Sequence, residues 1–264
     1  MQNHANTAPE YLYHYTNISS LALILKNRTI KFTPLHLLDD LEEAAIQDVH
    51  PYSRYCYVSS WTDDSQESIP MWKMYTNEID GVRIKLPAYP FVNYHVDEKY
   101  GFRCKSIVIP CETFFSKFKD LLANPSQDGI LHKVEYTEDT ELLRPIIMFP
   151  NVERIDWGRP HFLGRHKNTA WAFQREWRYI LTFVPGIHPG ASPEMRDSLK
   201  DLQMKHDLLF DNLCLTINDN KFTDFEVMLS PKINAGNRDI VNLLVREYNP
   251  NAKIVESSLK DKLR

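Results

Sequence analysis

Glycine is scarce in this chain, with 8 residues among 264. None of the eight belongs to a phosphate-binding loop or to the spaced glycine pattern of a dinucleotide-binding turn. The sequence therefore argues against a protein kinase, a P-loop nucleotide hydrolase and a Rossmann-type dehydrogenase.

Cysteine is scarce too, and long apolar runs are absent. The four cysteines are Cys56, Cys104, Cys111 and Cys214, with no Cys-x-x-Cys pair, which disfavours a disulfide scaffold and favours a reducing compartment. The N-terminus is polar and lacks the apolar core of a signal peptide, and no stretch is long enough to span a bilayer. We therefore expect a cytoplasmic protein without a membrane partner.

Neither sign of charge dominates. The chain has 31 Lys and Arg against 35 Asp and Glu, a formal net charge of -4 and a pI of about 6.2. This balance does not require a long polyanion as partner, so any nucleic-acid contact would use a local patch. Hydrophobic residues reach 43% and aromatic residues 12%, enough for a core and for aromatic faces that can stack on flat ligands.

Hydrophobic periodicity predicts an irregular interleaving of strands and helices. Strands are predicted at residues 11–15, 29–32, 55–61, 81–86, 103–110, 130–136, 176–184, 224–230 and 253–255. Helices are predicted at residues 20–26, 68–75, 111–123, 140–149, 193–210 and 237–248. This order fits one α+β domain over residues 1–264 with mostly antiparallel sheets. We expect a flexible leader at residues 1–10 and a helical excursion from the core within 185–222.

Two short segments carry most of the polar chemistry, and we expect them to meet in one site. In the later strand, period two places Glu176 and Arg178 on one face and Trp177 and Tyr179 on the other. The aromatic face is expected in the core, so the charged face points to solvent or into a cleft. The alternative is an exposed ion pair, which stabilises a fold little.

The surroundings of Glu176 favour an anionic ligand. The cations of residues 159–178 are Arg159, Arg165, Lys167, Arg175 and Arg178, with His161 and His166 beside them. Glu176 is the only acid in this stretch, which suits an anion that also needs one hydrogen-bond acceptor, because arginine binds phosphate through two parallel donors. The competing interpretation is a solvated basic face without a specific ligand.

The earlier segment offers His14 and Thr16, on the polar side of the first strand and next to a helix start. There they could hydrogen-bond a ribose or a phosphate, although histidine at a strand end is more often structural. Trp72 and Tyr75 share one face of a short helix and either pack in the core or stack on a flat ring. The acids at 39–43 are explained more simply by the helix dipole than by a metal site.

Taken in order, these segments resemble a bacterial family catalogued as a domain of unknown function. That family shows an H-Y-T start, an N-D-P-F-E loop, an M-W-x-x-Y helix followed by a glycine and a strand, and an E-x-E-W-R strand. The matching residues here are Tyr13-His14-Tyr15-Thr16, Leu38-Asp39-Asp40-Leu41-Glu42, Met71-Trp72-Lys73-Met74-Tyr75, Gly81-Val82, Glu176-Trp177-Arg178 and Leu229-Ser230-Pro231. The resemblance covers nearly the whole chain.

Two motifs depart from the family pattern. The N-D-P-F-E loop reads Asp39-Asp40-Leu41-Glu42-Glu43, without its proline and its aromatic residue. The E-x-E-W-R strand has Gln174 in place of the first acid, whereas the second acid, Glu176, is kept. The resemblance therefore does not imply an activity that needs both acids.

The same layout resembles the histidine-tyrosine-glutamate class of ADP-ribosyltransferases, which includes toxins that modify nucleic acids. The resemblance implies split antiparallel sheets, NAD as the substrate and no metal. The residues that would bind NAD are His14, Tyr15, Thr16, Trp72, Tyr75, Arg175 and Arg178. Tyr75 or Trp72 would stack on nicotinamide, and Glu176 would be catalytic. Arg175 or Arg178 would hold the pyrophosphate.

The implied function is a mono-ADP-ribosyltransferase that acts as a bacterial toxin or phage-defence effector. Its acceptor would be an unidentified protein or nucleic acid, and an antitoxin is a candidate partner. The same residues would also serve a hydrolase that cleaves NAD with water. A non-catalytic domain that binds a nucleotide or a protein is a third interpretation. A metal-dependent nuclease built on residues 39–43 is a fourth.

Overall fold

The structure is a computed structural model. It describes residues 8–47, 52–77, 79–97, 105–113, 121–122, 127–147, 149–150, 155–156, 162–185, 210 and 212–263. Within these ranges the chain forms an α+β fold around one large, mostly antiparallel sheet. None of the helices in these ranges is long and apolar enough to cross a bilayer.

Strands of the described ranges fall into one main sheet and four small pairs. The main sheet contains β1 (Tyr11–Asn17), β2 (Thr29–Pro34), β3 (Cys56–Thr62), β4 (Gly81–Pro87), β8 (Leu131–Lys133), β13 (Glu176–Thr182), β15 (Leu213–Thr216), β16 (Glu226–Leu229) and β17 (Lys253–Val255). The small pairs are β5 (Tyr94–His95) with β6 (Ser106–Ile107), β7 (Leu121–Leu122) with β14 (Val184–Pro185), β9 (Glu135–Thr137) with β12 (His166–Asn168), and β10 (Phe149–Pro150) with β11 (Ile155–Asp156).

Most of these pairings are antiparallel. Only β16 with β17 and β9 with β12 run parallel in the described part of the chain. The order through the main sheet is β15-β2-β3-β1-β4-β16-β17, and β13 lies between β3 and β8. The predicted α+β class with mostly antiparallel sheets is therefore confirmed.

The helices cap and flank this sheet. They are α1 (Ile18–Asn27), α2 (Ile69–Tyr75), α3 (Gln127–Ile130), α4 (Thr140–Leu143), α5 (Asp219–Phe222) and α6 (Ala235–Tyr248), with 3-10 helices at Leu35–Leu37, Tyr52–Tyr55 and Thr169–Gln174. Asn17 caps α1 by accepting a hydrogen bond from the backbone N–H of Ser20 at 2.8 Å, as its residue type predicts. Leu21 and Leu25, one helical turn apart, are fully buried.

The main sheet is split between β1 and β3. β1 pairs with β4 over seven residues, and β3 pairs with β13 over another seven. β1 and β3 themselves share a single pair, Tyr13 with Thr62. Because a continuous ladder would hold the two strands side by side, their separation beyond this pair opens a cleft.

The core fills both faces of the central strands. On β4, Val82, Ile84 and Leu86 are fully buried, as the alternating pattern predicts. Arg83 on the opposite face is also buried, since its guanidinium donates to the backbone carbonyls of Ser65 and Gln66. A loop that covers this face satisfies the arginine.

The middle of the chain differs from the sequence prediction. Residues 111–113 are helical, but Leu121–Leu122 is a strand and not the end of a helix. The helix predicted to reach residue 149 ends at Leu143, and Phe149–Pro150 pairs with β11 instead. Pairing with a distant strand overrides local helical propensity at these positions.

The predicted leader and excursion lie partly outside the described residues. Residues 1–7 and 186–209 lie outside the described residues, and so does nearly all of the helix predicted at 193–210. Within the rest of 185–222, Leu213–Thr216 pairs with β2 over four residues. That part of the segment belongs to the main sheet.

Candidate functional site

The cleft between β1 and β3 opens into a pocket of about 580 Å³, a volume that includes the space at its mouth. Its aromatic walls are Tyr13, His14, Tyr15, Trp61, Tyr75 and Trp171. Its polar lining is Asp39, Asp40, Glu43, Ser60, Lys167, Gln174, Glu176 and Arg178. Aromatic walls with a few convergent polar groups are typical of a small-molecule site. The structure thus brings the His14 and Glu176 segments together.

His14 lies where β1 and β3 separate. Its Nδ1 donates a hydrogen bond to the carbonyl oxygen of Ser60 at 2.8 Å, and its ring centroid lies 5.1 Å from that of Trp61. Burial lowers the pKa of His14 below its ordinary value, so the ring is neutral near pH 7. Because Nδ1 carries the proton, Nε2 is a hydrogen-bond acceptor.

Tyr75 reaches the pocket from the last turn of α2. The hydroxyl of Ser68 caps the start of this helix, and Pro70 stands in its first turn, where proline is tolerated. The Tyr75 hydroxyl accepts a hydrogen bond from Nε2 of Gln174 at 2.5 Å. Burial raises the pKa of Tyr75, so the phenol stays protonated.

Glu176 and Arg178 lie two residues apart on β13 and so project from the same face. Arg178 Nε donates to Glu176 Oε1 at 2.6 Å, and Lys167 Nζ donates to Oε2 at 3.2 Å. Burial alone would raise the pKa of Glu176, but Arg178 and Lys167 outweigh it and hold the pKa below its usual value. The charged face therefore points into a cleft, with Glu176 ionised.

Glu43 brings a second carboxylate to the same two cations. It forms an ion pair with Arg178 Nη1, and its Oε1 lies 3.0 Å from Lys167 Nζ. All four side chains are at most 6% exposed. We call Glu43, Lys167, Glu176 and Arg178 the charge ring, in which two acids alternate with two cations.

The pocket is therefore not the cationic site that the basic stretch suggests. Four lining carboxylates stand against two lining cations, and both cations lie in the charge ring. Arg165 instead lies 3.2 Å from His132, and His166 lies 3.7 Å from Glu135. Arg159 and His161 lie outside the described residues. The described lining carries a net negative charge, which disfavours an anionic group inside the pocket.

Trp72 and Thr16 do not line the pocket, in contrast to the expectation for NAD-binding residues. Trp72 is 1% exposed, packs edge-to-face on Tyr15 at 4.8 Å, and donates through Nε1 to Glu67 at 3.1 Å. Thr16 is buried away from the pocket. Of the two aromatic residues on α2, only Tyr75 faces the site, because Trp72 fills the space between the helix and β1.

Arg175 is also placed away from the pocket. It adopts the left-handed conformation, with φ 46°, and its guanidinium binds Asp63 at 2.9 Å on the protein surface. The left-handed turn after the 3-10 helix directs the side chain outward. Of the two arginines proposed to hold a pyrophosphate, Arg175 is outside the site and Arg178 is engaged by two carboxylates.

Several lining residues are missing from the sequence prediction. In the sequence, nothing distinguishes Lys167 from the other cations of its stretch, and Gln174 stands out only as the replacement of an acid. The helix dipole is the simpler explanation of Glu43 in the sequence, although Glu43 aligns with the glutamate of the N-D-P-F-E loop. Trp171 and Ser60 carry no sequence signal, because only the fold brings them to the cleft.

Comparisons with known proteins leave the resemblance untested. No family model, no curated protein and no solved structure matches the chain. Among the described residues, no group of three or more His, Cys, Asp and Glu side chains could hold a metal ion.

Proposed function

We propose that the chain is an NAD-dependent ADP-ribosyltransferase of the histidine-tyrosine-glutamate class. The single observation that carries the proposal is the convergence of His14, Tyr75 and Glu176 on one aromatic pocket. These residues come from β1, α2 and β13, three elements that are far apart in sequence. The split between β1 and β3 supports the same class, since it provides the cleft in which the three side chains meet.

The electrostatics of the pocket suit the nicotinamide end of the substrate. Oxidised nicotinamide is a flat ring that carries a positive charge, and aromatic faces bind such cations. Tyr75 offers such a face, while Asp39 and Asp40 add negative charge to the lining. The Trp171 ring already carries the Lys167 ammonium, 4.7 Å from its centroid. The pyrophosphate then lies outside the described lining, and Arg178 keeps its role in the charge ring.

His14 is suited to hold a ribose hydroxyl. Its Nε2 is an acceptor because Nδ1 donates to Ser60, and the neutral ring carries no charge that would repel nicotinamide. The hydroxyl would donate its proton to Nε2 in a hydrogen bond. The tautomer of His14 thus supports its place among the residues proposed to bind NAD.

Glu176 is suited to stabilise the reacting ribose. The bond between ribose C1′ and the nicotinamide nitrogen breaks, both electrons go to nitrogen, and nicotinamide leaves as a neutral molecule. The ribose is left with positive charge, which a nearby carboxylate binds more tightly than neutral ribose. An acceptor lone pair then forms the new bond to C1′, and the acceptor proton is released to solvent.

The Glu176 carboxylate has room for a substrate hydroxyl. It accepts from Arg178 and Lys167 and from the Ser60 hydroxyl. An ionised carboxylate offers about four lone-pair sites, so one remains for a ribose hydroxyl. The carboxylate is therefore fixed in place but keeps one free acceptor site.

Labelled NAD tests the proposal. The purified chain is incubated with NAD labelled in its adenosine half and a bacterial lysate, and the products are treated separately with nuclease and with protease. Transfer predicts label in a macromolecule that one of the two treatments releases, together with free nicotinamide. Free ADP-ribose alone would indicate hydrolysis with water as the acceptor. Unchanged NAD would contradict the proposal and favour a non-catalytic domain.

We further propose that the chain acts as a toxin or phage-defence effector. Consumption of NAD or modification of an essential macromolecule lowers the viability of the cell in which the chain is expressed. Expression in bacteria should therefore reduce colony formation, and Glu176→Gln should restore it. Cells that die equally with Glu176→Gln would contradict this extension.

A further inference from the structure

We infer that Glu43 is a positioning residue of the NAD-cleaving site, acting on Glu176 through Arg178 and Lys167. This inference rests on the proposed function. The observation behind it is the charge ring, in which Glu43 and Glu176 share the same two buried cations. Glu43 comes from the loop after β2, whereas Glu176 and Arg178 belong to β13.

Arg178 donates hydrogen bonds to three acceptors. Its Nε binds Glu176, and its Nη1 binds both Glu43 and the carbonyl oxygen of Gly164, the latter at 3.1 Å. The guanidinium is planar and rigid, so fixing one edge on Glu43 fixes the other edge against Glu176. Glu43 therefore determines the direction from which Arg178 holds the catalytic carboxylate.

Lys167 is shared in the same way. Its Nζ lies 3.0 Å from Glu43 Oε1 and 3.2 Å from Glu176 Oε2, and it donates to Gln174 Oε1 at 2.9 Å. Glu43 Oε1 accepts no aligned hydrogen bond, so its attraction to Lys167 is Coulombic. The ammonium is thus drawn toward Glu43 as well as toward Glu176.

The second carboxylate also sets the net charge of the ring. With Glu43 the ring holds two negative and two positive charges and is neutral. Without it, one carboxylate faces two cations, and the ring carries one positive charge beside the ribose. Since the reaction builds positive charge on that ribose, a cationic ring would oppose the transition state more than the ground state.

The loop that carries Glu43 is anchored from outside the pocket. The neighbouring Glu42 binds Arg144 at 3.1 Å, and the Gln47 side chain donates to the Arg144 carbonyl oxygen at 2.7 Å. These contacts fix the loop without touching the charge ring. Glu42 is therefore a matched control, because it is an acid on the same loop with a cationic partner but no contact with Glu176.

The test compares steady-state NAD cleavage by wild type, Glu43→Gln and Glu42→Gln, with thermal unfolding measured for each. Glu43→Gln keeps the size of the side chain and removes its charge. We expect kcat to fall by roughly 10–100-fold, taking as the scale the loss typical when a residue that orients a metal ligand is removed. KM should change by less than about threefold, since the loss appears in the transition state. Glu42→Gln should match wild type, because glutamine can still accept from Arg144 and the Gln47 contact is kept.

A double variant separates charge balance from a merely structural role. Glu43→Gln with Lys167→Gln leaves Glu176 and Arg178 as a neutral pair, so its kcat should exceed that of Glu43→Gln alone. A structural role would instead make the two losses add. If Glu43→Gln does not fold, Glu43→Asp and the double variant are compared with wild type, and both should retain measurable cleavage.

The outcomes distinguish this inference from the function on which it rests. A wild type that cleaves no NAD overturns both. A wild type that cleaves NAD overturns the inference alone if Glu43→Gln has the wild-type kcat, if only KM changes, or if the double variant is no faster than Glu43→Gln. If Glu43→Gln does not fold, loss of cleavage in either Glu43→Asp or the double variant overturns the inference.

Discussion

His14 Nδ1 donates to the carbonyl oxygen of Ser60 across the gap where β1 and β3 separate. In a continuous sheet this carbonyl would accept from a backbone N–H of the neighbouring strand. The imidazole replaces that ladder bond and spans the wider distance. A side chain that lines the cleft thus bridges its two strands where they separate.

The pH dependence of stability should report on His14. Burial holds the pKa of His14 below 6.5, so below pH 6.5 the unfolded chain binds a proton that the folded chain resists. The free energy of unfolding therefore falls as pH drops below 6.5 and is independent of this group at higher pH. Urea unfolding at about pH 7.5 and about pH 5.5 should show a smaller decrease for His14→Gln than for wild type. Equal decreases would contradict a His14 that folding keeps neutral.

Arg178 should be essential to the fold, unlike Arg175. Arg178→Met leaves two buried carboxylates without that partner and should lower the free energy of unfolding by about 3–5 kcal/mol. Arg175→Met removes a surface ion pair with Asp63 and should change it by less than about 1 kcal/mol. Urea unfolding of both variants measures the difference. Similar losses would contradict the burial of the charge ring.

Gly81 should tolerate no side chain. A Cβ there would lie 2.5 Å from the Thr76 hydroxyl and 2.7 Å from its Cβ, so Gly81→Ala should lower the free energy of unfolding by about 1–3 kcal/mol. Gly236, in the first turn of α6, meets its nearest side-chain atom at 3.5 Å. Gly236→Ala should therefore be neutral or stabilise the chain by about 0.4–1 kcal/mol. An unchanged free energy of unfolding in Gly81→Ala would contradict this close contact between β4 and Thr76.

Tyr75 should contribute its ring more than its hydroxyl. Tyr75→Phe keeps the aromatic face and loses only the bond to Gln174, whereas Tyr75→Leu removes the face. Calorimetric titration with NAD should give a Kd near the wild-type value for the first variant and a Kd at least about tenfold weaker for the second. Equal binding by Tyr75→Leu would exclude stacking on Tyr75.

Much of the fold follows from local pattern. The strand at β4 and the strand at Lys253–Val255 carry clear alternation or β-branched residues. Asn17 and Ser19 are both capping residue types before the predicted helix, and Asn17 is the cap of α1. The region between β4 and β13 follows less from local pattern, since its short strands are defined by distant partners. Leu121–Leu122 pairs with Val184–Pro185, a relationship that no local window contains.

The candidate site was only partly accessible to sequence reasoning. His14, Tyr75 and Glu176 carry motif signals, and all three line the pocket. Trp72 and Arg175 share the same motifs but do not line the pocket. Trp72 packs on Tyr15 in the core, and a left-handed turn directs Arg175 to the solvent. The position in the fold, and not the residue type, separates the motif residues that line the pocket from those that do not.

The most direct test of the account is the rate of nicotinamide release from NAD by purified wild type, Glu176→Gln and Glu67→Gln. Glu67 is a carboxylate outside the pocket that binds Trp72, Ser257 and Ser258, so Glu67→Gln should stay within about threefold of wild type. Glu176→Gln should fold and bind NAD but release nicotinamide at least about 100-fold more slowly. Release at the wild-type rate by Glu176→Gln would contradict the account.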